Sequence, residues 1–226
     1  MPCLGSPMNT NILLLASLLV AGGNAAWADS SVAINFAAQE NPSACQITAG
    51  TRTTIDYGTI ARSTLSTTSA HQLADKTIVA LSIQCDSPTS IGLSATDNRT
   101  GVLPYGDLVL ANGSVVGPQH ADQRFSLGLT SDWRPVGVWG LTFNGAAVDG
   151  KPVGIYTRSA AGQLTADPVL HKDGAVTIWA TAAGEPAIGQ VFSIGGVVSA
   201  SVARLGDLPG NAVQLDGSVT IEVVYL

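Results

Sequence analysis

The chain has 226 residues, of which 46% are hydrophobic, 5% aromatic and 12% charged. A charged fraction about half the usual ~25% excludes a disordered tail. Ten Lys and Arg against sixteen Asp and Glu leave a formal charge of −6, which excludes a surface built for a phosphate backbone.

The first element is an address. Ile12 to Ala21 is an uninterrupted apolar run, followed by Ala26-Trp27-Ala28. That order predicts a secretory signal peptide over residues 1–28, with Asp29 opening the exported chain. Ten helical residues cover about 15 Å, too little for a ~30 Å hydrocarbon core. No Lys or Arg precedes the run, and a start at Met8 instead of Met1 gives a more compact leader. Cleavage removes Cys3 and leaves Cys45 and Cys85, a pair that in an exported protein predicts a disulfide.

Val32, Ile34, Phe36 and Ala38 alternate with Ala33, Asn35, Ala37 and Gln39. Period two predicts a strand, which Asn41 and Pro42 stop. Ile78 to Ile83 predicts a buried strand ending at Cys85. Asp86-Ser87-Pro88 reads as a turn, and Thr89 to Thr96 as the next strand, closed by Asp97-Asn98-Arg99. Between Gly101 and Pro168 the pattern is weaker. Strands are expected over Gly106–Leu110, Arg124–Thr130 and Gly137–Phe143, with turns at Asn112-Gly113, Asn144-Gly145 and Asp149-Gly150. Further strands follow over Ala175–Ala180, Gln190–Leu205 and Val213–Leu226. In the last, Val219, Ile221, Val223 and Tyr225 share one face, opposite Ser218, Thr220 and Glu222. Such a strand invites pairing, with its own chain or with another. No amphipathic helix and no repeat is evident, so the expectation is one all-β domain, an antiparallel β-sandwich.

Catalytic chemistry is not in view. His71, His120 and His171 lie far apart in polar segments and read as solvated side chains. H-E-x-x-H, G-x-S-x-G, Walker and G-x-G-x-x-G motifs are missing, so no enzyme, metal or cofactor is expected. Asp97-Asn98-Arg99 reads as a turn whose arginine pairs with a nearby carboxylate. Asp149, Asp167, Asp173 and Asp207 read as turn residues. Trp133 and Trp139 flank Arg134-Pro135 and are the candidate ligand contacts, as platforms for a sugar ring; core packing is the competing reading.

Several features together resemble bacterial fimbrial subunits of the chaperone–usher type. An export signal precedes an alternating strand and then Pro42-Ser43-Ala44-Cys45. A second cysteine follows some 40 residues on, and the last strand has a penultimate tyrosine. Ile55-Asp56-Tyr57-Gly58-Thr59-Ile60, Ile83-Gln84-Cys85-Asp86 and Ala95-Thr96-Asp97-Asn98-Arg99 resemble more narrowly a β-fimbrial group of exported proteins. The similarity covers about Cys45 to Arg99 and the last ten residues.

The resemblance implies an immunoglobulin-like sandwich of pilin type that lacks its last strand. A periplasmic chaperone fills the gap first, and the N-terminal strand of the next subunit then replaces it. On that reading residues 29–44 are a donor-strand extension and 45–226 the sandwich domain. Val32, Ile34, Phe36 and Ala38 are the donated side chains. Val219, Ile221, Val223 and Tyr225 form a rail of the acceptor groove and the motif that the chaperone sees. A Cys45–Cys85 bridge ties the first two strands of the sandwich. The implied partners are the chaperone, an outer-membrane usher and neighbouring subunits, with no nucleic acid. The implied location is a cell-surface fimbrium reached through the periplasm, and the implied role is cell adhesion. The glycine usual partway along a donor strand is missing from Val32–Pro42, where Ala38 stands in. The alternatives are a tip adhesin, which extra loops in Gly101–Pro168 would suit, or a self-contained exported β-sandwich that binds a glycan or other ligand.

Overall fold

The computed structural model describes residues 31–38, 45–50, 52–99, 101, 103–104, 106–210 and 213–226; at 36–38, 49 and 52 it describes the backbone alone. The expected signal peptide, the Asn41-Pro42 stop and the side chains of Phe36 and Ala38 lie outside the described residues.

The alternating segments form strands. In chain order they are β1 (Ser31–Ala38), β2 (Cys45–Ala49), β3 (Arg52–Asp56), β4 (His71–Gln72), β5 (Lys76–Thr89) and β6 (Ile91–Asp97). The short β7 (Leu108–Val109), β8 (Val115–Val116) and β9 (Phe125–Ser126) precede the long β10 (Gly137–Val148). After them come β11 (Lys151–Pro152), β12 (Gly154–Arg158), β13 (Leu164–Ala166), β14 (Val176–Ala180), β15 (Gly189–Val202) and β16 (Asp216–Tyr225).

Two sheets face each other as a β-sandwich. One runs β13-β12-β14-β6-β16-β1-β3, and the other β11-β10-β15-β5-β2 with β4 and β9 attached at its side. Val32, Ile34, Leu93, Trp179 and Ile221 of the first sheet meet Leu81, Ile83, Trp139, Leu141 and Phe192 of the second in one buried cluster. Each such side chain contributes roughly 1.5–3 kcal/mol when taken from water. Cys45 and Cys85 stand opposite each other on β2 and β5 and are joined by a disulfide inside this core, as expected.

Two expected turns are strand instead. Asp86-Ser87-Pro88 lies within β5. Pro88 has no N–H for a ladder, yet β5 continues because its pairing with β15 slips there: Gln84 pairs with Val191 and Thr89 with Gly189. Asn144-Gly145 likewise lies within β10. From Asn144 to Ala147 that strand takes three steps against two on β15, a bulge that Gly145 accommodates at φ 60°.

Within the Gly101–Pro168 region, β10 and β11 belong to the second sheet and β12 and β13 to the first, while residues 108–116 cover the outer face of β10. Leu108, Leu110 and Val116 pack with Val138 and Val169 as a satellite cluster. For that reason the first seven residues of β10, Gly137 to Phe143, are all buried.

Candidate functional site

The slot between β16 and β3 is the feature that sequence reasoning pointed to. β16 keeps its alternation in the structure: Val219, Ile221 and Val223 are buried and Tyr225 is half-buried. It pairs antiparallel with β6 from Val219 opposite Asp97 to Tyr225 opposite Ile91. Its other edge would be open without β1.

β1 fills that edge from within the same chain. It runs parallel to β16 over eight register pairs, from Ser31 opposite Asp216 to Ala38 opposite Val223. On its other side it runs antiparallel to β3 over five pairs, from Ser31 opposite Asp56 to Asn35 opposite Arg52. Val32 and Ile34 are fully buried. Within the segment expected at 29–44 to be a donor-strand extension, residues 31–38 form β1, an internal strand of the chain's own sheet. The physical reason is that two edges rich in unpaired N–H and C=O groups, with apolar sockets between them, are satisfied by the nearest alternating strand. The ladder β1–β16 is the sole parallel one among the described strands.

The entrance of the slot is fastened by the Asp97-Asn98-Arg99 turn. Arg99 donates through Nε and Nη2 to the two carboxylate oxygens of Asp216, at 2.9 and 2.7 Å. This hydrogen bond holds the guanidinium pKa above its ordinary value. Both partners are exposed enough that the pair contributes roughly 0–1 kcal/mol. Asn98 Nδ2 donates to the hydroxyls of Ser218 and Thr220, each at 3.0 Å. Asp97 accepts from the N–H of Arg99 at 3.0 Å and of Ser126 at 2.9 Å. The turn and the Arg99 ion pair read from the sequence are both present, and they fix the start of β16 beside β1. At the far end, the Tyr225 hydroxyl accepts from the N–H of Cys45 at 2.9 Å. The disulfide-bearing strand is thereby tied to the last residue of β16.

A second polar constellation escaped sequence reasoning. His171 is not solvated. Its Nδ1 lies 2.7 Å from Asp122 Oδ2, and its Nε2 lies 3.0 Å from Asp167 Oδ2 and 3.2 Å from Gln123 Nε2. Burial alone would lower the imidazole pKa, but the two carboxylates outweigh it and raise it. Burial alone would raise the Asp167 pKa, but His171 and the N–H of Val169 hold it below the ordinary carboxylate value. Both ring nitrogens face carboxylate oxygens, so the doubly protonated imidazolium satisfies both and a neutral ring satisfies one. The spacing Asp167 to His171 is the only sequence signal for this clasp, and it means little outside a helix.

The two candidate ligand tryptophans separate. Trp139 is fully buried, stacks on Phe125 at 4.8 Å between centroids and donates to the carbonyl of Ser126 at 3.2 Å. It is a core residue, because its place on β10 points inward; its assignment as a ligand contact is corrected. Trp133 is 82% exposed and adopts φ 60°.

Residues 34–140 match the model of a family described as protein of unknown function (DUF1120). No curated protein matches the chain.

Proposed function

We propose that this chain is a structural subunit of a surface fimbria, joined to its neighbours by exchange of β1. What supports the reading is the form of the first strand: its alternate apolar side chains fill a seat between two strand edges that the same strand of a second copy would also fit, while its place in the same molecule is what a self-contained domain would show. The same strand from a second copy would present the same hydrogen bonds and side chains. Swapping identical elements between copies costs little, because every hydrogen bond broken within one molecule is remade between two. A strand arriving from a neighbour is also free to run the other way. The eight-pair ladder on β16 would then be antiparallel, the slightly more stable pattern, while the shorter five-pair ladder on β3 would turn parallel.

In this proposal the isolated chain does not wait with an empty groove. Val32 and Ile34 have to leave their own sockets before a neighbour's strand enters. A periplasmic chaperone would hold the vacated edge of β16, and an outer-membrane usher would be the place of exchange. Residues 1–28 would carry the chain to that compartment.

The cis seat of β1 also favours a second reading, a self-contained exported β-sandwich that never exchanges. One gel separates the two. Surface extracts of the producing cell are run unheated and boiled, for the native chain and for a variant lacking Val32 to Ala38. A ladder that collapses on boiling and is missing from the variant is expected of strand exchange. A monomer band alone in every lane belongs to the self-contained domain.

A further inference from the structure

The edge of β10 that faces away from β15 is closed by two chain pieces laid end to end. β9 covers one stretch, with Phe125 opposite Trp139 and Ser126 opposite Val138. Residues 168–170 cover the next. Val169 bridges to Thr142, the Phe143 N–H donates to the Pro168 carbonyl at 2.7 Å, and the Leu170 N–H donates to the Leu141 carbonyl at 2.9 Å. Both pieces run antiparallel to β10. One ends opposite Leu141 and the other opens opposite Trp139, so the seam between them falls at Gly140. The Gln123 carbonyl lies there, 3.2 Å from where a Cβ on Gly140 would stand. A continuous strand would be held across that point by the chain itself. Here the pieces come from distant parts of the sequence, and non-covalent contacts close the seam.

His171 follows the first piece, and Asp122 and Gln123 precede the second. The Lys172 N–H donates to the Asp122 carbonyl at 2.8 Å across the seam. The imidazole stands between the two sides, Nδ1 at 2.7 Å from Asp122 and Nε2 at 3.0 Å from Asp167. It lines a cavity of about 240 Å³ whose other charged groups are Asp122, Asp167, Lys172 and Asp173. The β12–β13 hairpin lines that cavity with no titratable group among the described residues. Lys172 turns its ammonium to Asp97, at 3.4 Å, and over the ring of Phe125. Of these groups the imidazole is the one that changes charge near neutrality.

With both nitrogens protonated, the ring donates to a carboxylate on each side. With one proton left, one carboxylate faces a lone pair. The two carboxylates are not equivalent. Asp167 is the more buried, and its other oxygen accepts from the Val169 N–H at 2.9 Å. Asp122 is 42% exposed and can turn to water. The ring that keeps one proton therefore keeps Asp167 and releases Asp122, its partner across the seam.

We propose that His171 is a pH-sensitive latch in this seam, closed while the imidazole carries two protons and opening the middle of the β10 edge when it carries one. An open seam leaves the Leu141 carbonyl without its donor, and a bare edge of this kind invites pairing with another strand. The inference does not rest on the exchange of β1.

Amide hydrogen exchange of the purified chain tests it. Protection is read residue by residue near pH 5.5 and near pH 8.5, relative to the unfolded chain at each pH. The Leu170 and Lys172 amides should be less protected than the central pairs of β5 and β15 at both values. Their protection should fall about five-fold or more at the higher pH. His171→Gln should make it the same at both. Asp122→Asn, on a part-exposed side chain, should remove most of the fall, and it decides the matter if His171→Gln does not fold. Three results overturn the proposal. Seam amides as well protected as those of β5 and β15 would mean that the seam opens only with the whole domain. Protection that does not change with pH would leave the latch without effect. A full fall surviving in either folded variant would place its cause elsewhere.

Discussion

Val32 stands opposite Gly217 in the parallel ladder, and the glycine leaves no room for a side chain. A Cβ there would lie 3.0 Å from Cγ2 of Val32 and 2.8 Å from Nε1 of Trp139. The seat of β1 is thus shaped by a missing methyl group. Gly217→Ala should destabilise the monomer by about 1–3 kcal/mol through overpacking, and it should loosen β1 first. Hydrogen exchange checks this: amides of residues 31–35 should lose protection more than those of β5. Equal loss across the sandwich would mean that β1 is no more separable than any other strand.

Tyr225 ties β16 to the disulfide strand through one hydrogen bond. Tyr225→Phe keeps the ring and leaves the Cys45 N–H without its acceptor. The expected cost is about 1–2 kcal/mol in urea unfolding, with an unchanged m-value. An unchanged midpoint would show that water replaces the hydroxyl.

The Cys45–Cys85 bridge closes a loop with a sequence separation of 40. In the chain-entropy model, losing that constraint on the unfolded state costs about 4 kcal/mol. The double variant Cys45→Ala with Cys85→Ala should melt well below the native chain. Reduction of the native chain should be slow while it is folded, since both cysteines are buried.

The His171 clasp makes stability depend on pH in two directions. The His171 pKa is raised in the folded state, so its contribution is full below the unfolded value of about 6.5 and is lost as pH rises through the folded value. The Asp167 pKa is lowered, so its contribution is present above about 3.9 and is lost as pH falls through the folded value. Melting temperature should therefore be higher near pH 5.5 than near pH 8.5. A loss on the order of 1 kcal/mol corresponds to about 2–4 °C at this size. His171→Gln should flatten that difference. If it persists in the variant, the clasp is not its source.

Much of the fold is legible in the sequence because one face of each strand is buried. The alternation of Val219, Ile221, Val223 and Tyr225 reappears in β16, and the pairing of Cys45 with Cys85 follows from an even count. Asn144-Gly145 and Asp86-Ser87-Pro88 read as turns and fold as strand for a shared reason. Turn residues also suit bulges, and a bulge is decided by the partner strand β15, which sequence order does not reveal. Trp139 and Trp133 look alike in the sequence, and their fates differ because Trp133 sits in the exposed turn before β10 and Trp139 within β10, on its core face. His171 gives little signal, since beyond Asp167 its partners Asp122 and Gln123 come from a segment brought to it only by the fold. The cis seat of β1 belongs to the same class: alternation predicts a strand and says nothing about whose edge it joins.

The central claim is that β1 leaves its own slot to join a neighbour, and a reversible lock tests it most directly. Ala33 and Thr54 face each other across β1 and β3, with Thr54 exposed. Ala33→Cys with Thr54→Cys would clamp β1 in cis when oxidised, and mild reduction would release it while the buried native disulfide stays intact. The account predicts only monomers on unheated gels of the oxidised protein, and a heat-sensitive ladder after reduction. A ladder of equal strength from the oxidised protein, with the new disulfide verified by mass, would contradict it.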